Sequence, residues 1–164
     1  MEVQGVRSLM RKFDKLGSID PVAYKSVKRQ AEVVRGVAVK LCPVYAGPWS
    51  FVSRGELRRS IYTKVEQDAD AVVGSVYTNA EHAPFVEFGT GPVGQANHTG
   101  ISPKVPVAYT QEQWVWADEE GGFHTTEGQP AQPFMYPALK SMEKQVVRAI
   151  GNDLRVEIRK AGRT

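Results

Sequence analysis

The feature that most constrains the fold lies near the C-terminal end. Leu139, Met142, Val146, Ile150, Leu154 and Ile158 recur at spacings of 3, 4, 4, 4 and 4. That period places them along one side of an α-helix, and mixed charges from Glu143 to Arg159 fill the other side. The stripe drifts slowly around the helix, as burial against a curved or twisted surface requires. Pro137 suits the helix start, where a missing N–H costs nothing, and Ala161-Gly162 suits its end. A helix this long with one apolar side needs a second layer to lie on.

A second stripe of Val27, Ala31, Val34, Ala38 and Leu41 predicts another amphipathic helix. Asp20-Pro21 reads as its cap and first turn, and Pro43 stops it at Cys42 by disfavouring helical geometry in the preceding residue. Lys25, Lys28, Arg29, Arg35 and Lys40 occupy its other sides. Val6, Leu9, Met10 and Phe13 predict a short helix ending near Gly17, so residues 1–19 form a short helix or arm. Pro43 to Gly55 reads as a loop with its turn at Gly47-Pro48.

Between the helices the period changes to that of strands. Ser60 to Glu66 and Ala71 to Tyr77 are rich in β-branched and aromatic residues, and the short Gln67–Asp70 link makes them a β-hairpin. A further strand is expected near 113–117, ending in the Asp118–Gly122 turn. Gly89 to Pro106 is Gly- and Pro-rich without periodicity, so 91–130 reads as a long loop or insertion, of a length that is usually functional or disordered. Together these elements predict an α+β fold: a small antiparallel sheet packed by an N-terminal-half helix and a long C-terminal helix. The whole chain, 1–164, is expected to form a single domain.

Composition excludes several classes. The 164 residues are 41% hydrophobic and 24% charged, a globular mixture far from collagen, coiled coil or disordered chains. No segment approaches the roughly 20 apolar residues that cross a bilayer. Met1 to Met10 lacks the apolar core of a secretory signal, and the lone Cys42 cannot form an internal disulfide, so a soluble protein is expected. The net charge of +3 conceals a segregation: +7 over Met1–Ser60, −8 over Ile61–Pro137 and +4 over Ala138–Thr164. Such blocks either steer a partner and pair with the opposite block of another copy, or are ordinary solvated helix faces beside an acidic middle. The aromatic residues sit mainly in the acidic middle, which disfavours direct reading of nucleic-acid bases.

No catalytic, cofactor or metal site emerges from the residue pattern. Gly89-Thr90-Gly91-Pro92-Val93-Gly94 matches G-x-G-x-x-G, but a dinucleotide site needs a strand before it and a helix opening on it. Pro92 interrupts the run, and a loop is expected to follow. His82, His98 and His124, with Glu81 and Glu87, show no metal-ligand spacing. Cys42 completes an apolar helix side and reads as a buried thiol rather than a nucleophile. Asn97-His98-Thr99 is a glycosylation sequon without a secretory route. The chain is therefore not expected to be an enzyme, and no cofactor is expected.

Three ordered stretches carry the remaining signal: Gly55-Glu56-Leu57-Arg58-Arg59-Ser60-Ile61, Ala83-Pro84-Phe85-Val86-Glu87-Phe88-Gly89-Thr90-Gly91, and Gln132-Pro133-Phe134-Met135-Tyr136-Pro137-Ala138-Leu139. In this order and spacing they resemble the tail-completion, or head–tail joining (minor tail component), family of long-tailed bacteriophages. That family has a G-x-L-R-x-S-I strand entry, a Y-A-x-x-V-E-F-G-T-G segment and an R-P-F-L-x-P-A-L helix start. His82 stands where the family commonly has Tyr, and Gln132 where it often has Arg. The similarity spans about Val34 to Val147, while Val93 to Pro130 has no clear counterpart.

The motif residues have physical readings as well. Leu57 and Ile61 should anchor the strand entry, leaving Arg58 or Arg59 to pair outward. Phe85, Val86 and Phe88 should form a short apolar turn. Glu87, flanked by apolar residues, should either pair with an arginine or be solvated at an edge. Pairing is favoured, with Arg58 the first candidate, within one subunit or across a ring interface. Gly89, Thr90 and Gly91 should let the backbone bend sharply. Gly55, Leu57, Arg58, Arg59, Ser60, Glu87, Phe88, Gly89, Thr90, Gly91, Pro133, Phe134 and Pro137 are thus candidates either for holding the monomer together or for its interfaces.

The resemblance implies a structural virion protein located in the neck or tail, and in the host cytoplasm during assembly. It implies a ring of itself, a hexamer or a multiple, that joins or completes the tail at the head–tail junction. Its partners would be a head-side connector and the tail tube, with DNA passing through the lumen without sequence-specific binding and with no membrane. The acidic Ile61–Pro137 block would then meet the basic helical ends of the next subunit, with Arg58 and Arg59 among the contacts. The alternative is a small DNA-binding module using the basic helices around Lys25–Arg35 and Arg148–Lys160, whose binding would weaken steeply with salt.

Overall fold

A computed structural model describes residues 19–44, 55–68, 71–97, 100–117 and 120–163. The expected helix before Gly17 and the Gly47-Pro48 turn lie outside the described residues. Helix α1 spans Ile19–Leu41, α2 Glu56–Arg59, β1 Ile61–Gln67, β2 Val72–Thr78, α3 Ala83–Phe88, α4 Gly91–Ala96, β3 Trp114–Ala117, β4 Phe123–Thr126 and α5 Met135–Gly162. The fold is α+β. Strands β1 and β2 form one small antiparallel sheet, β3 and β4 a second, and α1 and α5 pack against the sheet.

The chain divides into two compact units. One gathers the described residues up to Val34, Thr63–Val76 and the chain from Met142 onward. In it, the first part of α1 buries Ser26, Gln30, Ala31 and Val34. Gly74 of β2 faces this helix so closely that a Cβ there would stand 2.7 Å from the Val27 side chain. A larger residue at this position would push the sheet off the helix. Ser26 Oγ donates to the Asp153 carboxylate of α5, which also pairs with Arg29, and Thr63 of β1 donates to Glu32 of α1. These polar ties explain why a serine sits buried in an otherwise apolar helix side.

The other unit comprises Arg35–Tyr62 and Tyr77–Ser141. It holds the large buried side chains, Phe134, Ile61 and Cys42, together with Leu57, Ala38, Ala83 and Ala138. Tyr62 and Tyr77 stand as a cross-strand pair with ring centroids 5.9 Å apart, an arrangement that adds packing energy in sheets. In the second sheet Trp114 pairs with Thr126, Val115 with Thr125, Trp116 with His124 and Ala117 with Phe123.

Several expectations need correction. The Gly55–Ile61 stretch is not a plain strand entry: Gly55, at φ +77°, opens the single helical turn α2 before β1 begins. Phe85, Val86 and Phe88 belong to a short helix with Phe85 exposed, because Pro84 in its first turn presets helical backbone. The Gly- and Pro-rich segment is not structureless, since α4 lies within it and β4 pairs with the expected strand at 114–117. Leu41 is exposed and the buried side of α1 continues instead through Cys42. On α5, Leu139 and Ile158 are exposed and the stripe between them is half-buried. A two-stranded sheet is too narrow to cover a helix of 28 residues.

Candidate functional site

The second and third motifs meet at the start of α5. Glu87, at the end of α3, is buried. Its Oε2 accepts hydrogen bonds from the backbone N–H groups of Phe134 (2.7 Å) and Met135 (2.9 Å), and its Oε1 from that of Tyr136 (2.9 Å). The first four N–H groups of any helix lack intrahelical acceptors. Those of Phe134, just before α5, and of Met135 and Tyr136 reach Glu87, and the next residue is Pro137, which has no N–H to satisfy. A carboxylate also complements the positive end of the helix dipole. This corrects two expectations together. Glu87 does not pair with Arg58, and α5 starts at Met135 rather than Pro137, because the carboxylate holds the two preceding residues in the first turn.

Arg58 turns inward instead. Its Nε donates to the carbonyl of Cys42 at 2.8 Å, supplying a cationic partner at the C-terminal end of α1, where carbonyls lack helical donors. Leu57 and Ile61 are buried, and Ser60 Oγ sits 2.9 Å from the Leu57 carbonyl and 2.6 Å from Thr78 Oγ1. Arg59 is exposed, with its guanidinium near Gly55. Cys42 lies close to both Arg58 and Glu87. Burial pushes its thiol up, Arg58 opposes that and Glu87 adds to it, which keeps the thiol neutral and unreactive near pH 7.

Between α3 and α5 the backbone is drawn tight. Thr90 N–H donates to the Gln129 carbonyl at 3.0 Å and Gln129 N–H returns to the Thr90 carbonyl at 3.2 Å. Gln132 N–H reaches the Val86 carbonyl at 2.8 Å, and Gln129 Nε2 the Phe85 carbonyl at 2.9 Å. A Cβ on Gly91 would stand 2.3 Å from the Glu127 carbonyl oxygen, and one on Gly128 only 1.9 Å from that of Thr90. Both glycines also have positive φ, so sterics and backbone conformation each require them. Gly89 is enclosed in the same way by Ala131, Gln129 and Gly94. Pro133 immediately precedes the capped turn and touches Gly100.

Tyr109, Gly128 and Gln129 complete this site without having been singled out in the sequence, and Gly94 stands out there only as part of the G-x-G-x-x-G match. Tyr109 donates its hydroxyl to the Phe88 carbonyl at 2.8 Å, and burial raises its phenol. Gly128-Gln129-Pro130 reads only as a turn, since the close approach to Thr90 comes from 38 residues away. The Gly89–Gly94 run does open a helix, contrary to the expected loop, but α3 rather than a strand precedes it. Among the described residues no group of three His, Cys, Asp or Glu side chains is placed to hold a metal, and no helix is long and apolar enough to cross a membrane. His98 lies outside the described residues.

Carboxylate, glycines and backbone amides here pack two chain segments into one tight turn. A family model described as "Bacteriophage HK97-gp10, putative tail-component" matches residues 7–89, 83 of the 164 residues, and the chain belongs to this family. Membership makes it a structural protein of the bacteriophage tail and so a component of the virion. The matched region includes the first motif and most of the second, ending at Gly89. No curated protein and no solved structure matches the chain.

Proposed function

We propose that this protein assembles as a ring, a hexamer or a multiple of six, in the phage neck and completes the tail at its junction with the head. The family match over residues 7–89 carries this reading. The ring would dock on a head-side connector and on the tail tube, and DNA would pass through its lumen without base recognition. The protein would act by surface complementarity alone, with no catalytic step, after assembly in the host cytoplasm. The segregated charge supports the reading, because a head-to-tail ring sets one patch against a different patch of the next copy. Arg58, committed to the Cys42 carbonyl, is a poor choice for the basic partner. The basic contacts fall instead to the helices.

Deletion of the gene from the phage, with complementation in trans, tests this function. Filled heads and complete but unjoined tails are expected, with joined particles restored by complementation. Infectious joined particles formed without the protein, or its absence from purified particles by mass spectrometry, would overturn it.

A further inference from the structure

Residues directly opposite in an antiparallel pair share one side of the sheet. The pairs Val115↔Thr125 and Ala117↔Phe123 therefore define one face of the β3–β4 hairpin. All four are exposed, Val115 at 60% and Phe123 at 81%. The opposite face holds Trp114, whose ring lies 3.1 Å from where a Cβ on Gly91 would stand. A two-stranded hairpin gains little stability on its own, so an apolar face left in solvent marks a surface awaiting cover. The segment Glu112–Glu127 carries five acidic residues and no Lys or Arg.

Helix α5 offers the complement. Val147 is 67% exposed and Ile158 50%. Eleven residues apart, they lie three turns along the helix within about 20° of each other. From Lys140 to Lys160 the helix carries six basic residues against three acidic ones. An exposed apolar strip on a net-basic helix and an exposed apolar face on an acidic segment thus occur on the same chain.

We infer that the Val115/Phe123 face of the β3–β4 hairpin in one copy packs on the Val147–Ile158 side of α5 in the next copy. The contact joins two different surfaces of the chain, as a head-to-tail ring requires. It names the subunit interface of the ring proposed above and rests on that reading.

The test uses the full chain and two exposed-site variants, Phe123→Asp and Val147→Asp, with circular dichroism confirming that each folds. Light scattering after size exclusion should show the unchanged protein associating with concentration. Each variant alone should lose association by about tenfold or more, as for a buried hot-spot residue. Mixed in equal amounts, the two variants should form a one-to-one dimer, because the intact helix of one accepts the intact hairpin of the other. High salt should weaken that dimer. A wild-type chain that stays monomeric at every concentration, oligomers that persist in both variants, or a mixture that gives no dimer would each overturn the inference. The deletion phenotype is read independently, so loss of this interface and loss of the neck function are distinguishable.

Discussion

The two units of the chain solve the same packing problem in different ways. The unit around Glu87 closes on itself: Phe134 and Ala138 are 0% exposed, and every N–H of the first α5 turn has an acceptor or is absent. Among its described residues, the unit that holds the rest of α5 buries Ser26, Gln30, Ala31 and Val34, all on α1. Its helices are tied by side-chain contacts such as Ser26 to Asp153, and it leaves Val73, Val147, Val156 and Ile158 exposed. The first region completes its helix start internally, although its β3–β4 hairpin still presents the exposed Val115/Phe123 face. The other has apolar surface to spare for a partner.

The sharpest way to break this contrast is to remove the cap. Glu87→Ala strips acceptors from three N–H groups at once and should cost about 3–5 kcal/mol by urea denaturation. Glu87→Gln keeps one acceptor oxygen and should cost about 2 kcal/mol. A loss under about 1 kcal/mol for the alanine variant would show that the closed unit does not depend on the cap.

Next in size is a glycine series. Gly128→Ala must move the Thr90 carbonyl and should cost about 3 kcal/mol. Gly121, with φ +81° but open space around it, should cost about 1 kcal/mol as alanine. Gly151 lies in α5 with nothing near, and Gly151→Ala should stabilise by about 0.5–1 kcal/mol. Equal effects at all three positions would erase the distinction between the tight turn and the open helix.

Cys42 distinguishes the units kinetically. Buried and with its thiol raised, it should react with a thiol reagent only as fast as the closed unit opens, and Glu87→Ala should accelerate that reaction. Rapid labelling of the native protein would contradict the buried placement.

The smallest effect concerns acid. Asp153 is held below its usual value of 3.8, chiefly by the Ser26 hydrogen bond, against desolvation and with help from Arg29. Its folded pKa is depressed, so its contribution is present above about pH 4 and lost as pH falls through the lower folded value. Asp153→Asn should flatten the acid limb of a stability–pH curve measured by circular dichroism, and an unchanged limb would remove Asp153 from the account.

What could be read from the sequence follows the reach of each signal. The α1 and α5 stripes repeat over enough residues for periodicity to speak, and the β1–β2 hairpin and the strand at 114–117 show in their β-branched and aromatic content. Helices α3 and α4 are six residues each, too short for a period, though Pro84 and Pro92 mark their first turns. Strand β4, only Phe-His-Thr-Thr, gains its identity from pairing with β3. Glu87 was legible only as a carboxylate flanked by apolar residues, either paired or solvated at an edge. Arginine was the natural guess because its charge is written in the sequence, whereas backbone amides are present at every residue and announce nothing. The glycine contacts were half legible: the Gly89–Gly91 run invites a bend, but nothing before folding marks Gly128 as its counterpart.

The Thr90–Gln129 bridge and the Glu87 cap fasten both ends of the excursion that carries the β3–β4 hairpin. With its ends clamped, the length and content of that excursion become a free variable. Each doubling of a flexible loop costs only about 0.6 kcal/mol of closure entropy. The hairpin behaves as an exchangeable cassette: a related phage could lengthen it, shorten it or redecorate its tip for a different neighbour, and the helix start beneath it would not register the change.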